Sequence, residues 1–269
     1  MSKGCLLFAF NNETIDYVKL ANSSALNIKR LLNLPTTIVT DKPITIEHTF
    51  DNVVLVDKPG HGHRHFQDYE KTVEWINFER HRAYNLSPYD ETILLDADYV
   101  VSSDRLNVLF ELGNSFLCHK TSFNVSGQCF DSLNNFGLYS MPMAWATVVY
   151  FKKDMISNNI FETMAMVQGN YNHYVNLYNF NHYPYRNDYA LSIALNINSG
   201  HFINTDEYYI PWDLASVVPE DSIEKVNTDT YQLIYKKLMN NKIQNARVII
   251  KDRDLRVMGT KCLEEIYEN

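Results

Sequence analysis

Two aspartates one residue apart, Asp96 and Asp98, interrupt an apolar run that reads Thr92-Ile93-Leu94-Leu95 before them and Tyr99-Val100-Val101 after them. In an extended chain, residues i and i+2 project from one face, so the two carboxylates are expected to point the same way. Carboxylates are seldom buried unless they are paired or bound to a metal. A same-face pair ending a core-like strand therefore asks for a cation. Oxygen donors alone suit a hard divalent ion, Mn²⁺ or Mg²⁺, which keeps positions open for substrate phosphates. The plain alternative is a strand that stops in solvent with two acids at its tip.

Such a pair needs a scaffold, and the first half of the chain alternates strand and helix patterns. Cys5 to Phe10 reads as a strand, and Asn12-Glu13-Thr14 can cap a helix running to about Leu34, where Pro35 stops it. Thr36 to Thr40 is a β-branched strand ending at Asp41, and Val53 to Val56 is another ending at Asp57. A helix is expected from about Tyr69 to Leu86, leading into the strand that ends at Asp96. This alternation predicts an α/β fold with a mostly parallel central sheet, whose ligands bind at the carboxyl ends of the strands. Asn11, Asp41, Asp57 and Asp96 fall at those ends. Further on, Ala146 to Phe151 and Val248 to Ile250 read as strands, and Met155 to Gln168 and Asp188 to Asn196 as helices. No internal repeat, low-complexity tract or linker divides the chain, so a single domain over residues 1–269 is expected.

The 269 residues are 45% hydrophobic, enough for a sizeable core, and no stretch approaches the ~20 apolar residues of a membrane span. The apolar run at the N-terminus is too short for a secretory signal, so a cytoplasmic location is expected, with Cys5, Cys118, Cys129 and Cys262 as reduced thiols. A formal charge of −8 argues against a broad electrostatic footprint on nucleic acid. Abundant Asn and Tyr with sparse Gly and Pro is a flavour of AT-rich genomes, phages among them; a viral chain would then work in the host cytoplasm.

Pro88-Tyr89-Asp90-Glu91-Thr92, the apolar run and Asp96-Ala97-Asp98 together resemble the Asp-x-Asp strand of GT-A glycosyltransferases, most closely the glycogenin-like, family 8 group. The resemblance implies a single Rossmann-like GT-A domain. Residues 1–101 would form its nucleotide-binding half and residues 102–269 its sugar and acceptor half. It implies that Asp96 and Asp98 hold Mn²⁺ or Mg²⁺ on the diphosphate of a nucleotide sugar, a UDP-sugar by the family's habit. Asn11 and Asp41 match positions that meet the nucleotide, and Arg80 a position that touches donor phosphate or sugar; the bland reading of Arg80 is a solvated charge beside Glu79. Asn187-Asp188-Tyr189-Ala190-Leu191 resembles a segment whose Asp binds donor-sugar hydroxyls, although Asp188 also suits ordinary helix capping.

Arg256-Val257-Met258-Gly259-Thr260-Lys261 resembles the family's His-Phe-Leu-Gly-x-x-Lys loop, shortened by one residue. There the His ligates the metal, and the Gly and Lys contact the diphosphate. Arginine cannot ligate, so either Asp252, Asp254 or a water completes the coordination, or Arg256 itself neutralises phosphate. Gly259 would let backbone N–H groups approach phosphate, and Lys261 would supply a point charge. Trp145 begins a strand that lacks the family's Asn and Gly and offers a ring for stacking on a sugar or acceptor. His61-Gly62-His63-Arg64-His65 lacks the partners of a zinc site and reads as a loop near the donor, with Arg64 as a phosphate contact. The Tyr-rich tract from Tyr171 to Tyr185 keeps partly helical spacing, which fits core, and its interleaved Asn residues fit the acceptor side.

The expected activity is metal-dependent sugar transfer from a nucleotide diphosphosugar with anomeric retention, Asp188 and Arg256 acting closest to the chemistry. The acceptor is a glycan or a hydroxymethylated DNA base of the kind small phage transferases modify. A nucleotidyltransferase shares the sheet and the acids, but Asn11-Asn12-Glu13-Thr14 has neither its Gly-rich loop nor its Lys. A non-catalytic sugar-nucleotide binding module is the third reading.

Overall fold

The computed structural model describes residues 1–44, 49–57, 62–66, 71–75, 79–127, 135–180, 184–201, 206–239, 242–259, 262–263 and 266. Strand β1 (Lys3–Phe8) leads through helix α1 (Tyr17–Asn27) and a π-helical turn at Ile28–Leu32 to β2 (Thr36–Thr40) and β3 (Asn52–Leu55). A hairpin of β4 (Gly62–Phe66) and β5 (Lys71–Trp75) precedes a 3₁₀ turn at Arg80–Arg82, helix α2 (Ala83–Leu86), β6 (Glu91–Leu95) and β7 (Tyr99–Val100). Then come β8 (Phe116–His119), β9 (Ser122–Asn124), the small ladder β10 (Asn135–Phe136) with β11 (Met141–Pro142), and the long β12 (Trp145–Lys152). Three helices follow, α3 (Met155–Gly169), α4 (Tyr171–Tyr178) and α5 (Asn187–Asn198). A 3₁₀ turn at Asp206–Tyr208 and five strands come next: β13 (Leu214–Val217), β14 (Ser222–Asn227), β15 (Thr230–Met239), β16 (Lys242–Lys251) and β17 (Leu255–Val257).

The central sheet runs β3-β2-β1-β6-β12-β8. Its first four strands are mutually parallel, and β12 is antiparallel to both β6 and β8. The fold is therefore α/β with a mostly parallel sheet. All five residues of β6 are buried, as the continuous apolar pattern of a strand covered on both faces requires. Because β12 runs against β6, its first residues lie at the edge where β6 ends, with Val148 opposite Leu95. Trp145 and Asp96 thus belong to one edge of the sheet. A second sheet, β7-β17-β13-β9, brings the C-terminal strand β17 against the residues that follow Asp98. The antiparallel β14-β15-β16 forms a third.

Several boundaries differ from the sequence reading for identifiable reasons. Asn12 accepts from the Thr14 and Ile15 amides in a local turn, so it caps no helix. Helix α1 starts at Tyr17, where Asp16 accepts from Lys19 N at 2.9 Å. It ends by way of Asn33, left-handed at φ 54°, ahead of Pro35. Among the described residues, the helix expected over Tyr69 to Leu86 is replaced over Lys71–Trp75 by a strand, where Thr72, Val73 and Trp75 favour β structure, and is α-helical only over Ala83–Leu86. Its partner is the His-rich Gly62–Phe66, a strand where a loop was expected. The late strand is far longer than Val248 to Ile250, because the exposed face of β16 carries Lys, Gln and Asn that hide its alternation. Much of the described aromatic tract is core: Tyr174, Tyr178 and Phe180 are buried with Phe136 and Tyr189. Among the described residues, no helix is long and apolar enough to cross a membrane.

Candidate active site

Strand β6 stops at Leu95, and Asp96, Ala97 and Asp98 form a turn closed by Tyr99 N donating to Asp96 O at 3.1 Å. The two carboxylates are therefore brought together by a turn and not by an extended strand. Asp96 is tied back to the sheet through its own amide, which donates to Thr147 O at 3.0 Å. Asp98 is tied forward, its carbonyl accepting from Val257 N at 3.0 Å. The turn is thus clamped between β12 and β17.

Each acid faces an arginine. Arg80 is only 1% exposed and donates from Nη1 to Asp96 Oδ1, with Nη2 3.4 Å from Thr147 O. The solvated partner of Glu79 is instead Arg82, at 2.6 Å. Arg256, on β17, holds Nε 3.9 Å from Asp98 Oδ2, too far for a hydrogen bond. Its Nε and Nη1, and Asp98 Oδ1, are buried without hydrogen-bond partners among the described residues. Burial, reinforced by the neighbouring Asp96 charge, pushes the Asp98 carboxyl up to about 7 despite Arg256 and Arg80.

Asp188 enters from the first turn of α5. Its Oδ1 accepts from Ala146 N at 2.9 Å, and its Oδ2 from Arg186 Nε and Nη2 at 3.1 and 2.7 Å. Burial acts to raise this carboxyl, but Arg186, Arg256 and the Ala146 amide outweigh it and hold it below the ordinary aspartate range. Trp145 lies between the arginines, its ring centroid 5.6 Å from the Arg256 guanidinium carbon and 6.0 Å from that of Arg186. With 1% of its surface exposed, it offers no free face to a sugar, contrary to the stacking expected of it. Arg186 escaped the sequence reading. Its one signal was a cation just ahead of a helix, the unfavourable end of the helix dipole, which calls for a compensating acid.

The remaining expected residues are placed less centrally. Asn11 spends both side-chain groups on the start of α1, donating to Asp16 Oδ1 at 2.8 Å and accepting from Val18 N at 2.9 Å. Asp41 follows β2 at the carboxyl edge and is partly exposed. Gly259 would accommodate a Cβ at 3.7 Å from its nearest neighbours, so protein packing does not demand glycine there. The Arg64 side chain and Lys261 lie outside the described residues. Asp254 does not join the aspartate pair: its Oδ1 accepts from Ser102 N, Ser103 N and Ser103 Oγ at 2.7, 2.8 and 3.1 Å. Asp252 is exposed beside Lys251.

A divalent cation fits the Asp96–Asp98 turn on chemical grounds. The unpaired Asp98 Oδ1 and its reluctance to ionise are what a bound cation would relieve. Among the described residues, no cluster of three His, Cys, Asp or Glu could hold a metal. A pair of carboxylates is nevertheless the donor set with which Mg²⁺ is commonly held alongside substrate phosphates.

Fold and site together define an α/β protein with a three-aspartate, three-arginine centre at the carboxyl edge of its parallel sheet. No protein-family model and no curated protein matches the sequence. Among solved structures, the chain is similar to the glycosyltransferase GlyE of Streptococcus pneumoniae TIGR4, at 15% identity and a TM-score of 0.43 over 78% of this chain and 46% of that one. It is also similar to the galactosyltransferase LgtC solved with donor and acceptor sugar analogs (13% identity, TM-score 0.45, 72% and 69% covered). A third is mouse xyloside xylosyltransferase 1 in its apo form (11% identity, TM-score 0.47, 79% and 86% covered). The match spans less than half the length of the pneumococcal protein. Likeness at this level assigns neither activity nor substrate.

Proposed function

We propose that the chain is a GT-A-type, family 8-like glycosyltransferase that moves a sugar from a nucleotide diphosphosugar, a UDP-sugar, to an acceptor hydroxyl. One observation carries the reading: Arg256 and Asp98 face each other at 3.9 Å, and three of their buried polar atoms are unpaired among the described residues. Unsatisfied groups of opposite charge at one point suit a ligand that is itself a charge pair, a diphosphate with its counter-cation. A bound Mn²⁺ or Mg²⁺ would neutralise the leaving diphosphate.

The protein's own groups divide the remaining work. Arg256 would donate to diphosphate oxygens as charge develops there, fixed in orientation by the Trp145 ring. Arg80 would hold Asp96 in place, its buried guanidinium restricting the carboxylate to one geometry. Asp188, kept ionised by Arg186 and Arg256, would accept from donor-sugar hydroxyls. In the transfer the bond from the anomeric carbon to the phosphate oxygen breaks and a bond to the acceptor oxygen forms. The acceptor proton passes to the departing phosphate, which accounts for retention without a further protein base. Asn11, Asp41, Arg64, Gly259 and Lys261 are assigned to donor binding on the family likeness. The acceptor is a glycan or a hydroxymethylated DNA base.

Thermal melting against nucleotide sugars and nucleoside triphosphates, with Mn²⁺ and then with EDTA, tests the proposal. Selective stabilisation by one diphosphosugar in Mn²⁺ is expected, since a ligand bound only by the folded state raises Tm. Stabilisation by triphosphates alone would favour nucleotidyl transfer, and no response to any nucleotide would end the proposal.

A further inference from the structure

A cavity of about 280 Å³ opens beside the candidate site, with Tyr99, Arg105, Phe123, Trp212 and Asp254 among its walls. It shares two strands with that site. Tyr99, the first residue of β7, directly follows Asp98, and Asp254, just ahead of β17, precedes Arg256 by two residues. Its polar groups are held in place. The Arg105 guanidinium carbon stacks 4.3 Å from the Trp212 ring centroid, and that of Arg253 5.5 Å from Phe123. Asp254 is anchored by the Ser102 and Ser103 amides through one oxygen, and Asp213 accepts from the Thr121 hydroxyl.

We infer that this cavity is a saccharide subsite, holding the non-reacting end of a neutral acceptor glycan while the donor occupies the neighbouring site. The inference rests on the transferase reading. A guanidinium stacked by its face keeps N–H donors around its edge, and carboxylates accept only. Alternating fixed donors and acceptors match adjacent sugar hydroxyls, each of which both donates and accepts. The volume lies just below the roughly 300 Å³ at which small-molecule sites begin, the scale of a monosaccharide unit. Asp213, Asp252 and Asp254 stand against Arg105 and Arg253, and Lys251 lies beside Asp252, so the walls carry no surplus of positive charge. A phosphodiester backbone or a phosphorylated sugar would find no net attraction there. Of the two acceptor classes, the cavity suits the neutral glycan better than the DNA base.

The test applies the labelled full chain to an array of neutral, sialylated and phosphorylated oligosaccharides and a hydroxymethylated DNA duplex. The same preparation is melted with UDP-sugar and Mn²⁺. Neutral glycans should bind. Binding should weaken ~tenfold or more, the scale of a lost hydrogen bond to a charged group, in the exposed-residue variant Asp213→Ala/Arg253→Ala and in Arg105→Met. The nucleotide-sugar melting shift should persist in both variants. If the cavity variants bind neutral glycans as well as the parent, or if only phosphorylated glycans or DNA bind, or if nothing on the array binds, the subsite is wrong. Loss of the nucleotide shift in the parent chain would instead overturn the transferase reading, whatever the array shows.

Discussion

Arg256 and Asp98 stand 3.9 Å apart without completing a hydrogen bond, whereas Arg80 and Asp96, on the other arm of the same turn, are joined directly. The two pairs look alike in composition and differ in state. Arg80 is 2% exposed at its side chain, its Nη1 satisfies Asp96, and Nε alone of its nitrogens is buried without a partner among the described residues. Among the described residues, Arg256 keeps two buried nitrogens unpaired, and Asp98 keeps a buried oxygen unpaired. One pair is structural, and the other is held open by a tryptophan stack that positions the guanidinium without saturating it.

Asp98→Asn should separate stability from binding. The carboxyl is pushed up to about 7 by burial and by Asp96, so the folded apo-protein bears a cost for ionising it. The amide removes that cost, and the apo-protein should melt at or above the parent temperature at pH 8. The Mn²⁺-dependent gain with UDP-sugar should disappear together with UDP release. An undiminished gain, or undiminished turnover, would remove Asp98 from donor binding.

Arg256→Ala should weaken donor binding by ~tenfold to a hundredfold while changing apo stability by no more than ~2 kcal/mol, the scale of a desolvated cation–π contact. Titration calorimetry with UDP gives the first quantity and urea unfolding the second. Arg256→Lys keeps the charge but loses the planar stack and the bidentate geometry, so it should recover only part of the affinity. Equal affinity in Arg256→Ala and the parent would show that the C-terminal loop is aligned wrongly.

Arg80→Met removes a cation that a buried acid depends on. Breaking a buried pair costs 3–5 kcal/mol, and the low end, about 3 kcal/mol, is expected because Asp96 keeps 20% of its side chain exposed. Asp96→Asn in the same background should restore much of the loss, since no carboxylate is then left uncompensated. Denaturant midpoints of the parent, both single variants and the double variant form the cycle. Additive losses would mean that Arg80 stabilises through packing alone.

How far the sequence revealed this arrangement depends on the kind of contact. Strands β1, β2 and β6 were legible because a strand buried on both faces carries few charges along its length, as in Ile93-Leu94-Leu95, whereas the largely exposed β3 was legible from its Val53-Val54-Leu55 run. The acid pair was legible from its position at the end of that run, although the turn geometry that joins the two was not. β5 was missed and β16 was read only over Val248 to Ile250, since both mix Lys with Glu or Gln into their alternation. Arg186 was missed because its importance comes from Asp188 and Trp145, the latter distant along the chain. The burial of Trp145 was invisible for the same reason: the guanidinium groups of Arg186 and Arg256, which lie near its ring, come from far along the chain.

His119 should give the fold an acid-side weakness independent of the aspartates. It sits on β8 with 1% of its surface exposed, Nδ1 2.9 Å from Trp212 O, and Nε2 buried without a partner among the described residues. Nδ1–H therefore donates to the carbonyl, and the neutral ring is the form the fold accepts. Burial pushes this histidine down to about 4, from an ordinary value of 6.5, against the opposing pull of the Trp212 carbonyl and Asp213. Because the folded value is depressed, the unfolded chain binds the proton first. The full contribution is present above pH 6.5, falls as pH drops below it, and is exhausted near pH 4, where the folded form also takes the proton. The loss over that window approaches ~3 kcal/mol at 1.36 kcal/mol per unit. Urea midpoints at pH 7.5 and 5.0 should differ more in the parent than in His119→Asn, which retains an N–H donor for Trp212 O and cannot titrate. Equal pH dependence in the two proteins would mean that the ring is charged or solvated in the folded state.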